Sequence, residues 1–174
     1  MKTKLQILIF LMMIFPLSIF PQWEGVTGNN LPQQIAVGWA IDAIPNCVVA
    51  SLTAYDSEFN LFISTDNGNN WSPITLPNDE FAIDIEIVDP LKYLIVTSTG
   101  KILLTVNGGE NWTVQFSDSQ LTEFMNYIEM FDENNGVAMG DAPPNSDIAL
   151  IVRTNDGGIT VSYTHLTLPT KRIV

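Results

Sequence analysis

Carboxylates are the chemistry-bearing groups this chain has in number: nineteen Asp and Glu stand against seven Lys and Arg, one His and one Cys. Two carboxylates about 5 to 9.5 Å apart are enough to hydrolyse a glycosidic bond, one as acid and the other as nucleophile or base. Asp84 with Glu86 and Asp132 with Glu133 are examples of pairs close in sequence. The first pair lies on an alternating segment and the second in a turn, positions where a solvated carboxylate is the ordinary expectation. Sialidase-like chemistry needs an arginine cluster for the substrate carboxylate and a Tyr/Glu nucleophile pair. Arg153, beside a strand, stands without such a cluster. Cys47 sits in the apolar run Cys47-Val48-Val49-Ala50 and reads as a small core residue, with no histidine to activate it. One cysteine makes no internal disulfide, and neither a zinc cluster nor a Ser-His-Asp set can be assembled. Oxygen ligands between Asp141 and Asp147 match no EF-hand spacing and read as a solvated turn. Asn70-Trp71-Ser72 and Asn111-Trp112-Thr113 fit the N-glycosylation pattern, but they fall inside a repeat that explains them by packing. The residues therefore call for no cofactor and no metal.

That repeat sets the architecture. Ser64-Thr65-Asp66-Asn67-Gly68-Asn69-Asn70-Trp71 returns as Thr105-Val106-Asn107-Gly108-Gly109-Glu110-Asn111-Trp112, and, cut short, as Thr154-Asn155-Asp156-Gly157-Gly158-Ile159-Thr160. Asp66 and Asn107 are 41 residues apart, and Asn107 and Asp156 are 49 apart. Ile85-Glu86-Ile87-Val88-Asp89 keeps the same time with Ile128-Glu129-Met130-Phe131-Asp132, which places the extra residues of the third unit around Ala142 to Asp147. Strand-forming runs precede each copy: Leu61 to Ser64, Lys101 to Leu104 and Ile148 to Val152. In each copy the Asp or Asn oxygen can accept backbone N–H bonds, while Gly68, Gly109 or Gly158 supplies a positive φ. Trp71 and Trp112 then bury their rings between neighbouring sheets. These are scaffold roles for Ser64, Asp66, Gly68, Trp71, Thr105, Asn107, Gly109, Trp112, Thr154, Asp156 and Gly158.

Strand-rich units repeating at 40 to 50 residues are the mark of propeller blades. The expectation is an all-β fold: a truncated β-propeller of about three four-stranded blades, at 33–71, 81–112 and 127–160. Cys47 to Leu52 and Leu61 to Thr65 are strands of the first. In the second, Ile83, Ile85 and Ile87 alternate with Asp84 and Glu86, one face buried and the other wetter. Three blades cannot close a ring that takes 4 to 8. The open ends of such an array predict aggregation.

The pattern Ser/Thr-x-Asp-x-Gly-x-x-Trp, complete at Ser64 to Trp71, resembles the BNR or Asp-box repeat. Phe131 to Asp141 and Thr154 to Gly158 are similar, more narrowly, to photosystem II stability/assembly factor-like propellers of secreted bacterial proteins; the resemblance spans about residues 35 to 160. It implies a non-catalytic module that offers loops or a central channel to a protein or carbohydrate ligand. Asp-boxes also decorate sialidases and β-glucan-cleaving propellers, so a fragment of a glycoside hydrolase whose catalytic residues lie in other blades is the alternative.

The ends read differently. Lys2 and Lys4 precede the apolar run Leu5 to Phe15, and Pro16, Ser18 and Pro21 break it before Gln22, so residues 1–22 have the form of a cleaved export signal. The run is short for a membrane span, which needs about 20 residues. The product is then secreted or held at the cell surface, with the periplasm as the alternative compartment. Val161 to Thr170 is the translation of GTC TCT TAT ACA CAT CTG ACG CTG CCG ACG, a transposon-end sequencing adapter. Residues 161–174 accordingly form a non-native tail that interrupts the third repeat where its Trp belongs. Between the two ends, Lys92, Lys101 and Arg153 face all nineteen acids, a net charge of −16. Such a surface repels nucleic acid phosphates and anionic lipid.

Overall fold

In the computed structural model, residues 29–143, 146 and 149–163 are described. Among the described residues, twelve strands form three antiparallel four-stranded sheets, each wound in chain order. The first holds β1 (Ile35–Ile44), β2 (Cys47–Ala54), β3 (Leu61–Ser64) and β4 (Ser72–Ile74). The second holds β5 (Ala82–Ile87), β6 (Tyr93–Thr97), β7 (Lys101–Thr105) and β8 (Thr113–Ser117). The third holds β9 (Met125–Met130), β10 (Gly136–Gly140), β11 (Leu150–Thr154) and β12 (Ser162–Tyr163). In every sheet the fourth strand lies beyond the Trp position at which the sequence units were ended. β12 is drawn from the segment read as a tail and pairs Ser162 with Arg153 and Tyr163 with Val152. The export-like segment 1–22 and residues 164–174 lie outside the described residues.

The sheets stack face to face, and burial follows from that order. The middle sheet is covered on both sides, so β6 reads as an unbroken apolar run, with Tyr93, Leu94, Ile95, Val96 and Thr97 all buried. Tyr93 and Ile95 face sheet one, where they join Val49, Leu61, Ile85, Ile87 and Leu103. Leu94 and Val96 face sheet three, where they join Ile102, Leu104, Ile128, Met130 and Val152. Cys47 is a buried free thiol in the first of these cores. Burial and the negative fields of Asp42 and Asp89 push its pKa up, which suits a packing residue and not a nucleophile.

Between sheets one and two the chain makes a 3₁₀ turn, Pro77–Asp79, and delivers Glu80 into the interior at 2 % exposure. Burial alone would raise the pKa of this carboxyl, but hydrogen bonds from Lys101 Nζ and from Thr99 Oγ1 (2.5 Å) outweigh it and hold the value down. Tyr93 shows the opposite case, since its hydroxyl is buried without a partner while its ring meets Trp112 edge-on at 5.7 Å. Tyr93→Phe removes an unsatisfied group and keeps the ring. It is expected to raise stability by about 1 kcal/mol in a urea titration, where an ordinary buried hydroxyl would give a loss.

Candidate functional site

The three copies of the repeated turn share one geometry. Ser64 Oγ donates to Asp66 Oδ1 at 2.8 Å and accepts the Gly68 N–H at 2.8 Å. Thr105 and Thr154 take the same place, donating to Asn107 at 3.0 Å and Asp156 at 2.9 Å while accepting Gly109 N–H and Gly158 N–H, each at 2.9 Å. The Asp or Asn then reaches four residues on, to the N–H of Asn70, Asn111 or Thr160 at 2.8, 3.0 and 2.8 Å. Side-chain donation from Asn70 lowers the Asp66 pKa first of all, and the Thr160 hydroxyl does the same for Asp156. All of these polar groups are directed at their own turn, and none at a common pocket.

The aromatic that closes the turn packs toward the preceding sheet. Trp112 lies against the core between sheets one and two. Trp71 turns to the outer side of sheet one, covered there by Leu31 and Phe59, with Nε1 donating to Gly68 O at 2.9 Å. In the third copy Val161 occupies this place, against the core of sheets two and three, and leaves a small apolar cavity beside Leu94, Ile102, Val152 and Gly158. Val161→Trp is expected to cover its open side with the indole and raise stability by about 1 kcal/mol, read as a higher thermal midpoint. A lower midpoint would show that the site was not shaped for an indole.

The carboxylates that converge lie on the first strand of each sheet. β1, β5 and β9 each pair with only one neighbour, so every second N–H on their other edge needs an acceptor. The acids of the preceding sheet supply it. Asp42 Oδ2 accepts Ile87 N–H at 2.6 Å, and Asp84 Oδ2 accepts Ile128 N–H at 2.9 Å. The Met130 amide lies toward Glu86 and offsets part of its upward shift. Asp84 and Glu86 are thus half-buried against sheet three, and the wetter face anticipated for this strand is an intersheet contact. Desolvation is the largest influence on both, raising the Asp84 pKa and pushing Glu86 up to about 7, with the fields of Asp42 and Glu129 adding to each.

Asp132 and Glu133 are not brought to this row. Asp132 Oδ1 caps its own turn by accepting Asn134 N–H and Asn135 N–H at 2.8 Å each, and the Glu133 carbonyl accepts from Lys92 Nζ at 3.4 Å. Asp141 Oδ1 accepts from Asn126 Nδ2 at 2.7 Å, while Asp147 lies outside the described residues. Arg153 is exposed on β11, without a second arginine among the described residues. No group of three or more metal-ligating side chains is placed to hold an ion among the described residues. Asn70 Nδ2 donates to Asp66 Oδ2 at 2.6 Å, so the side chain of that glycosylation sequon is engaged in the turn. Sequence reasoning passed over Asp42 and the part of Glu129 in the row. The signal was present in Ile41-Asp42-Ala43, which repeats the apolar-acid-apolar order of Ile85-Glu86-Ile87.

Three stacked four-stranded meanders whose first strands lie side by side, β1 beside β5 and β5 beside β9, have the arrangement of adjoining propeller blades. The structure of YCF48 bound to D1 peptide superposes with a TM-score of 0.58 at 18% identity, over 76% of this chain and 41% of that one. The chain has a propeller fold, in part. YCF48 from Cyanidioschyzon merolae gives 0.58 at 16% identity, over 75% of this chain and 40% of that one. The Niastella koreensis GH74 enzyme gives 0.54 at 12% identity, over 68% and 20%. The chain thus spans less than half the length of each of these propellers. No family model and no curated protein matches the sequence.

Proposed function

We propose that this chain is part of an exported, non-catalytic Asp-box propeller that binds a protein segment or a carbohydrate. The observation that carries the reading is the use made of the carboxylates: Asp42 and Asp84 accept first-strand N–H groups of the next sheet, and Asp66 and Asp156 hold their own turns. Acids engaged with backbone donors in this way are scaffold. That one similar structure holds a peptide agrees with a binding role. On this reading residues 1–22 direct export, and 161–170 are adapter-derived; the cavity beside Val161 supports the latter, since it lies where the other two repeats carry Trp.

A hydrolase reading is favoured by one observation. Glu86 is half-protonated near neutral pH and has Asp42, Asp84 and Glu129 in its field, the electrostatic setting of a general acid. The two readings separate when the purified chain is incubated with β-glucans and sialosides and also applied to glycan and peptide arrays. The binding reading predicts saturable retention of one ligand class and no sugar release. Release that Glu86→Gln abolishes in a folded variant would establish the hydrolase instead.

A further inference from the structure

The strands of each sheet alternate in direction, so the β2–β3 and β4–β5 connections share the end of the stack opposite the repeated turns. They leave a gap there. In the second sheet the equivalent β6–β7 connection is the tight turn 98–100, and the chain after β8 lies directly on it, since a Cβ on Gly100 would come 2.8 Å from Thr122 O. The β2–β3 connection is longer, residues 55–60, and between it and residues 74–80 lies a cleft of about 260 Å³. Ile74 and Leu76 on its wall belong to the core between sheets one and two, so the cleft is formed where two sheets join and not at an end of the array.

Its lining has an apolar part and an acidic part. Phe59, Ile74 and Leu76 supply the first, while Glu58 and Asp79 are exposed carboxylates, one from each connection. Asp79 is set by a turn that Glu80 N–H closes on Pro77 O at 3.1 Å, with Asn78 and Asp79 both at positive φ, a conformation that Asn and Asp tolerate. The Glu80 carboxylate is already engaged by Lys101 and Thr99. No basic side chain is among the described residues that line the cleft, so Glu58 and Asp79 face it without a countercharge. Asn60 spans the two connections, its Nδ2 donating to Glu80 O at 3.1 Å, and its buried Oδ1 has no donor.

We propose that this cleft takes a long basic side chain, the lysine or arginine of a protein segment, with its methylenes along Phe59, Ile74 and Leu76 and its charged end between Glu58 and Asp79. The inference rests on the reading of the chain as a binding module and names what its partner must carry. Lysine and arginine pair an apolar stem with a head that only donates, which is the complement of a lining that has apolar surface and acceptors and no cation. An anionic side chain would be repelled, and a neutral one would leave both carboxylates without a countercharge. Pockets for drug-sized molecules hold about 300 to 1,000 Å³, so this one is sized for a single side chain. The acidic surface around it concentrates cations near its mouth.

The test is a heteronuclear NMR titration of the full chain, at about 0.15 M salt, with the capped pentapeptides Gly-Gly-Lys-Gly-Gly, Gly-Gly-Arg-Gly-Gly and Gly-Gly-Gln-Gly-Gly. The expected result is saturable shifts with the two basic peptides, confined to residues 58–60 and 74–80 and including the Asn60 side-chain amide, and none with the third. Glu58→Gln combined with Asp79→Asn should weaken binding at least fivefold while the remaining amide shifts stay in place. Glu110→Gln, which removes an exposed charge at the other end of the stack, should leave it unchanged. Shifts spread over the acidic surface, an equal response to the glutamine peptide, or binding that the double variant leaves intact would each overturn the proposal. The wider reading is judged separately on the arrays. A peptide or glycan retained there equally by the wild type and the double variant would keep the binding module and overturn the cleft as its site. Saturation of the cleft with no ligand retained on the arrays would support the side-chain site and remove the wider reading.

Discussion

Gly109→Ala is expected to cost about 3 kcal/mol, which a urea titration would show as a large drop in midpoint at constant slope. Two terms combine. Gly109 holds φ at +88°, where a residue with a Cβ is strained by about 1 kcal/mol. Its added methyl would also lie 2.8 Å from Ile74 Cγ2 and 2.8 Å from the Tyr93 hydroxyl. Both neighbours are buried and packed, Ile74 and Tyr93 within the core between sheets one and two, so relief requires that core to move at a cost of about 1 to 3 kcal/mol. Gly68 is the internal control. It has nearly the same φ, +87°, but its methyl would find nothing nearer than Trp71 Cζ2 at 3.8 Å. Gly68→Ala should therefore lose only the backbone term, about 1 kcal/mol. Equal losses at the two positions would show that the turn, and not the packing behind it, limits stability.

Glu86→Gln is expected to stabilise the fold at pH 8, by on the order of 2 kcal/mol, and to do little at pH 4. The sign follows from the direction of the shift. Glu86 is raised from 4.5 to about 7 in the folded chain, so between those values the unfolded chain releases a proton that the folded chain retains. Stability falls as pH rises through that window and is flat above it. Asp84, raised chiefly by burial, acts in the same direction. Asp66, Asp132 and Asp156 act in the other: their lowered pKa values give stability that is present above the unfolded value and lost as pH falls through the folded one. The wild type is thus expected to be most stable at about pH 5, with the alkaline limb flattened in Glu86→Gln. A thermal-melt series from pH 4 to 8 on both chains reads this directly, and parallel curves would refute the assignment of a buried charge to Glu86.

The sequence made the turns legible because their polar residues act locally. Ser64, Asp66 and Gly68 bond one another within five residues, so their types and spacing alone imply the reversal and the strands on either side. The buried strand β6 was less legible, since an apolar run covered on both faces has no period. β1 was missed because bulges between Ile35 and Val37 and between Gly38 and Ala40 break its alternation, and Gly38 argues locally against a strand. The fourth strands escaped for another reason. β4 carries Pro73 and is an edge, where strand propensity matters little, and β8 is mostly exposed. The row of first-strand carboxylates could not be read as a site at all. Asp84 and Glu86 look like a solvated face until a third sheet covers them, and that contact spans 44 residues from Asp84 to Ile128.

The central claim is that these carboxylates join one sheet to the next. Amide hydrogen exchange at Ile87 and Ile128 tests it most directly, in the wild type and in Asp84→Ala and Asp42→Ala. The account predicts that both amides are protected in the wild type, that Asp84→Ala speeds exchange at Ile128 while Ile87 stays protected, and that Asp42→Ala does the reverse. Amides at Ile87 and Ile128 that exchange as fast as exposed edge positions in the wild type, or that do not respond to their own carboxylate, would contradict it.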